Sequence, residues 1–132
     1  MYSKKQISLK IYGDDFNTKD GSCIRDYIHI SDLSDIHIKI LKKIEKIKKS
    51  IILNCGYGKG ISVKQVINEF IKVINKKANI IVLKRRQEDI VSSTANNTKL
   101  INFIKWKPKY NNLNLMVKNC LDWERKYQKT KY

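Results

Sequence analysis

Three glycines at alternate positions, Gly56, Gly58 and Gly60, separate an apolar run from a helix-start signal. The run Ile51–Asn54 reads as a strand, and Ser62-x-x-Gln65 reads as a capping box. Val66, Ile67, Phe70, Val73 and Ile74 follow at helical spacing. A strand, a tight glycine turn and a capped helix in succession is an α/β unit, and the rest of the chain must pack around it. The spacing is G-x-G-x-G, neither the dinucleotide fingerprint nor a P-loop. The next strand, Asn79 to Lys84, leads into Arg85 and Arg86 where a ribose-binding acid would be expected. The turn reads as a tight connection, and a dinucleotide loop is the weaker reading.

The remaining segments extend the α/β pattern. Ile7 to Tyr12 alternates with period two, as a half-buried strand does, and Gly13 to Ser22 is turn-rich. Arg25 to Ile30 reads as a short strand. Ser31 or Asp32 then caps a helix to about Lys49, with Leu33, Ile36, Ile40, Ile44 and Ile47 in one stripe. A short helix over Thr98 to Ile104 precedes Trp106-Lys-Pro108. A last helix runs from about Leu113 to Tyr127, with Leu113, Val117, Cys120, Leu121 and Trp123 facing inward. No internal repeat and no linker divides the chain.

At 132 residues the chain has the length of one domain. No apolar run reaches the roughly 18 residues of a membrane span. The Met1-Tyr-Ser-Lys-Lys-Gln6 start does not have the pattern of a secretory leader. The net charge of +16 suggests nucleic acid at first sight, but only Arg25, Arg85, Arg86 and Arg125 among the 28 basic residues are Arg. Lys, Ile and Asn are abundant together, as A/T-rich codons produce, and Arg is the usual tool for bidentate phosphate or base contacts. A solvated lysine surface is therefore the expectation, and a nucleic-acid role is not. Cys23, Cys55 and Cys120 are far apart, and with His29 and His37 they form no zinc spacing, so reduced thiols and no metal site are expected.

Two clusters could carry chemistry. In Arg25-Asp26-Tyr27 the Arg can clamp a phosphate while the Asp holds its geometry. In Arg85-Arg86-Gln87-Glu88-Asp89, Arg86 can neutralise phosphate while Asp89 accepts from sugar hydroxyls. The plain alternative for both is a surface ion-pair set. Tyr127-Gln-Lys-Thr-Lys131 matches Y-x-x-x-K, but seven Tyr in so lysine-rich a chain make such a match expected by chance. His29 reads as a strand histidine with satisfied hydrogen bonds, and Trp106 and Trp123 as core or interface residues. Nothing supports nucleophilic catalysis.

In this order, these pieces resemble the C-terminal part of the UDP-glucose 4-epimerase family, within the extended short-chain dehydrogenase/reductase superfamily. The resemblance rests on Lys10 through Ile30, Ser31-Asp-Leu33, the Asn54-to-Val63 turn, Arg85 to Asp89 and Trp106-Lys-Pro108, and covers residues 7 to 127. It implies an α/β substrate-binding portion of mixed short strands and helices, with residues 1–132 as a single partial domain. It also implies interconversion of UDP-glucose and UDP-galactose through a 4-keto sugar, with NAD taking and returning the hydride. Carried onto this chain, Ile11 and Tyr12 would line the uracil pocket, and Arg25 and Arg86 would grip the diphosphate. Tyr27 and Val63 would lie beside the nucleotide, and Asp89 would hold ribose hydroxyls. Ser93 falls where some members carry Tyr, which leaves room for an N-acetyl sugar.

The family's N-terminal Rossmann domain, with its NAD loop, catalytic Ser/Thr and Y-x-x-x-K pair, has no counterpart in this chain. The expectation is thus a cytoplasmic fragment without catalytic residues, binding UDP-sugar but no NAD by itself and inactive alone. Its expected partners are a separate NAD-binding N-terminal chain, which an exposed apolar face of this chain would meet, and, by the family's habit, a second copy in a homodimer. Another UDP-sugar epimerase or dehydratase, or a non-catalytic relic or binding module, remains as an alternative.

Overall fold

The computed structural model describes residues 7–130. The Met1–Gln6 start and Lys131 of the Y-x-x-x-K match lie outside the described residues. The elements are β1 (Ile7–Tyr12), β2 (Ile24–Arg25), α1 (Ile30–Leu41), a single 3-10 turn (Ile44–Lys46), β3 (Ile61–Ser62), α2 (Val63–Ile74), β4 (Ala78–Leu83), β5 (Ser92–Ser93), α3 (Thr98–Ile104) and α4 (Leu113–Thr130). They form two small sheets. β1 and β4 pair in parallel, from Ile7 opposite Ala78 to Tyr12 opposite Leu83. The second sheet has the order β3-β2-β5, with β2 antiparallel to β3 and parallel to β5. The α/β class with mixed short strands and helices is the one expected from the sequence.

Local signals fix α2 and α3. The Ser62 hydroxyl accepts from the Gln65 amide at 3.1 Å, while the Gln65 side chain accepts from the Ser62 amide at 2.8 Å. Two orphan donors at the helix start are thereby satisfied. Asn75 ends α2 in the left-handed conformation. α3 has the expected span, Thr98–Ile104. It supplies Leu100 and Ile104 to the principal core, which they form with Ile36 of α1 and Trp106.

Five expectations are corrected. The strand over Arg25–Ile30 shrinks to β2, because pairing with β3 and β5 ends at Arg25 and α1 begins at Ile30. The cap of α1 is His29, whose Nδ1 accepts from the Ser31 amide at 3.0 Å, and neither Ser31 nor Asp32 has that role. The helix ends at Leu41 and does not reach Lys49. The stripe continues in sequence, but Leu41 and Ile44 are 62% and 54% exposed, so no packing extends the helix there. Ile51–Asn54 is extended and joins neither sheet, although Leu53 packs on the core. On α4 only Val117 is buried, and Cys120 and Trp123 are exposed because the second half of the helix passes beyond the body of the fold.

Asp32 joins three distant segments. Its buried carboxylate accepts from the Tyr57 hydroxyl at 2.6 Å, the Lys109 amide at 3.1 Å and the Tyr110 amide at 2.9 Å. It thus ties α1 to the glycine turn and to the loop after Trp106. Burial pushes the carboxyl pKa up, but the Tyr57 hydroxyl and the two amides outweigh it and hold the group below its ordinary value. His29 lies alongside, stacked on Tyr110 at 4.6 Å, with the Asn119 amide of α4 at 3.0 Å from Nε2.

Asp32→Ala leaves these donors without an acceptor and should lower unfolding free energy by about 3 kcal/mol in urea titrations. The depressed carboxyl contributes stability that is present above the ordinary Asp pKa of about 4 and lost as pH falls through the lower folded value. Asp32→Asn should therefore flatten the dependence of stability on pH below about 4 relative to the parent chain. An unchanged slope in acid urea titrations would exclude Asp32 as a source of acid sensitivity.

Candidate functional site

The parallel pairing of β1 and β4 brings the ends of both strands to one side. The Gly13 amide donates to the Leu83 carbonyl at 2.9 Å, so the chain after β1 and the chain after β4 leave together. Gly13 has φ +81°, and a Cβ there would lie 2.7 Å from the Phe16 ring, so glycine is required at this exit. The arrangement sorts the two adjacent arginines. Arg85 turns to the Gly13–Ser22 loop, with its guanidinium over the Phe16 ring at 4.1 Å and paired with Asp15 at 3.3 Å. Arg86 turns the other way and lies over the Tyr12 ring at 4.0 Å.

Between Arg86 and β2 lies a depression of about 260 Å³. Ile11, Tyr12, Arg25, Val63, Arg86 and Asp89 all line it. Six of the eight residues named from the sequence thus meet in one place. Tyr27 is half-buried and does not line it. Burial pushes the Tyr27 phenol up, and Arg25 close by acts in the opposite direction. Ser93 is on β5, in register with Arg25, and faces a neighbouring hollow of about 510 Å³ with Asn54, Cys55 and Thr94. Arg25 lines both spaces and so forms the wall between them.

Arg25 is rigidly placed. Its Nη1 donates to the carbonyls of Ile24 and Ile90, each at 2.8 Å, and Nη2 faces the Asp89 carboxylate at 3.4 Å. Lys10 and Cys23 also line the depression and were not singled out from the sequence. Lys10 was legible, because alternation along β1 puts it on the face of Tyr12, two residues away. With Lys10, Arg25 and Arg86 against Asp89, the lining carries three cations and one carboxylate. Such a surface is suited to a ligand with more than one negative charge.

The glycine turn is committed to scaffolding. The Asp26 carboxylate accepts from the amides of Tyr57 at 2.9 Å, Gly58 at 2.8 Å and Ala95 at 3.1 Å. A Cβ on Gly56 would lie 2.5 Å from that carboxylate and 2.7 Å from the Ala95 methyl. An aspartate therefore occupies the amides that a dinucleotide loop would offer to pyrophosphate, and this turn does not fit NAD. It does suit the role of a connection that glycine alone can fill. Among the described residues, no group of three or more His, Cys, Asp and Glu is placed to hold a metal ion. No described helix is long and apolar enough to cross a membrane.

Comparisons with known proteins agree with this architecture. Residues 1–56 match the model of the NAD dependent epimerase/dehydratase family. The chain is 36% identical over 122 residues to the UDP-glucose 4-epimerase of Azospirillum brasilense, covering 92% of this chain and 35% of that protein. Among solved structures, it superposes with a TM-score of 0.80 on the UDP-Glc/GlcNAc 4-epimerase of Campylobacter jejuni, at 39% identity, covering 92% of this chain and 37% of that one. A TM-score of 0.85 at 30% identity relates it to a UDP-glucose-4-epimerase from Stenotrophomonas maltophila with bound NAD and formylated UDP-arabinopyranose, covering 93% of this chain and 36% of that one. The chain thus spans about 35% of the length of the curated relatives it matches. In sequence and in fold it is a homologue of the C-terminal part of UDP-glucose 4-epimerases.

Proposed function

We propose that this chain supplies the UDP-sugar-binding part of a UDP-sugar 4-epimerase. The observation that carries the reading is the position of Arg25, between a depression rimmed by Tyr12, Arg86 and Asp89 and a hollow bordered by Ser93. A nucleotide diphosphate sugar is a linear ligand with its charge in the middle. In the proposed pose the nucleoside enters the first space, with uracil against Ile11 and Tyr12 and the ribose hydroxyls on Asp89. Val63 contacts the nucleotide from the start of α2, and Tyr27 packs behind Arg25. The diphosphate reaches Arg25 and Arg86, and the sugar extends past Ser93. Anchoring the ligand by its remote half lets the reacting ring move, which a 4-epimerisation requires.

Hydride chemistry in this proposal belongs to a separate NAD-binding chain, because the glycine turn here is filled by Asp26. The chain alone then binds UDP-sugar without turning it over. The assembly, whether with that second chain or as a homodimer, would be cytoplasmic. The small Ser93 side chain, exposed at its hollow, favours an N-acetylated UDP-sugar among the substrates of the class.

Calorimetric titration of the purified chain with UDP at physiological salt should give saturable one-site binding. Arg86→Ala, which removes an exposed side chain and leaves the core intact, should weaken it by about tenfold or more. A chain shown by circular dichroism to be folded, yet inert to UDP, would overturn the reading in favour of a relic. On the sugar side, Ser93→Tyr should reduce binding of UDP-N-acetylglucosamine more than that of UDP-glucose. Equal effects on the two ligands would remove Ser93 from specificity.

A further inference from the structure

Another cavity lies away from the proposed nucleotide site. It is an open hollow of about 620 Å³ between the exit of α1 and α3. Its floor is apolar, made by Ile47, Ile51 and the Phe103 ring. Lys43, Lys46, Lys48, Lys49 and Lys99 also line it, and no acidic residue does. Among the described residues no ion pair engages any of these five lysines. Lys43 is held in place, since it donates to the Phe103 carbonyl at 2.7 Å and sits 5.3 Å from the centre of that ring.

Lysine abundance accounts for exposed ammonium groups scattered over the surface. It does not account for five lysines lining one apolar concavity with no acid among them. An apolar floor takes hydrocarbon out of water, and a cationic lining attracts and retains an anionic head. A free inorganic anion would use the lysines and leave the floor wet, and a neutral apolar molecule would use the floor and leave the lysines unneutralised. We propose that this hollow binds a phosphate monoester or diester carried on an apolar body. The ligand is either a soluble organic phosphate or the head region of an anionic lipid. The site is independent of the UDP-sugar reading and shares no residue with it.

Octyl phosphate, below its micelle concentration, is the probe, with inorganic phosphate and octanol as its two halves. Calorimetry on the full chain should show octyl phosphate binding about tenfold or more tighter than either half. The combined variant Lys46→Glu, Lys48→Glu, Lys49→Glu alters exposed side chains only and should reduce that affinity by about tenfold or more. A matched reversal elsewhere, Lys76→Glu, Lys126→Glu, Lys129→Glu, should leave it within about twofold. Flotation with phosphatidylcholine vesicles containing phosphatidic acid separates the sources. Capture lost in the first variant and kept in the second identifies a lipid, and octyl phosphate binding without vesicle capture identifies a soluble phosphate. Octyl phosphate binding no tighter than inorganic phosphate, or equal losses in the two reversals, would overturn the proposal and leave only a general effect of the +16 charge.

Discussion

The buried Asp32 carboxylate is the interaction on which this fold depends. It belongs to a wider pattern in which a strongly basic chain uses its few acids as internal fasteners. Asp20 holds the Ser62 hydroxyl, the Ser22 amide and the Ser22 hydroxyl, so it clamps the Gly13–Ser22 loop to the start of α2. Asp26 gathers three amides from the glycine turn and the 92–97 segment. Asp32 joins α1, Tyr57 and the loop after Trp106. Each carboxylate serves donors from segments far apart in sequence. That is how a chain with two-residue strands fixes long irregular stretches that no ladder holds. The Lys-rich surface contributes little to this framework, since exposed pairs such as Lys72–Glu69 are weak in water.

What the sequence disclosed follows from which forces are local. β1, α2 and α3 were legible because alternation, a capping box and helical spacing act within a few residues. β2, β3 and β5 have two residues each, and they exist only because Arg25 meets Ile61 and Ser93 from distant parts of the chain. No local pattern encodes such a pairing. The reverse error occurred at Ile51–Asn54, where β-branched residues suggested a strand that pairs with no other strand among the described residues. His29 escaped notice as a cap because imidazole is an uncommon acceptor at that position, whereas Ser31 and Asp32 are habitual ones.

At the candidate site the sequence named residues that the fold brings together and left the roles of adjacent residues open. Arg85 and Arg86 are chemically identical in a string of letters. Their division, one to Asp15 and Phe16 and the other to Tyr12, depends on the turn at Gly13 and is set by the β1–β4 register. Asp26 was taken for the companion of a phosphate-binding arginine, but its carboxylate faces the glycine turn. The same contacts explain why three closely spaced glycines do not make a nucleotide loop. Gly56 makes room for Asp26, and Asp26 fills the place an anion would take.

Arg25 and Arg86 differ in how firmly they are held, and the difference bears on the proposed ligand. Arg25 is fixed by two carbonyls and Asp89, so ordering it in a complex costs little further side-chain entropy. Its Nε–H and one Nη2–H are not used by those carbonyls and are available to an anion. Arg86 rests on the exposed Tyr12 ring and can follow a phosphate without breaking a buried hydrogen bond. A diphosphate shared between them would meet one cation preset in direction and one able to adjust. Asp89 does not defeat this arrangement. Its charge is opposed by Arg25 in the free chain, and its remaining lone pairs suit hydroxyl donors, the groups a ribose presents beside its phosphates.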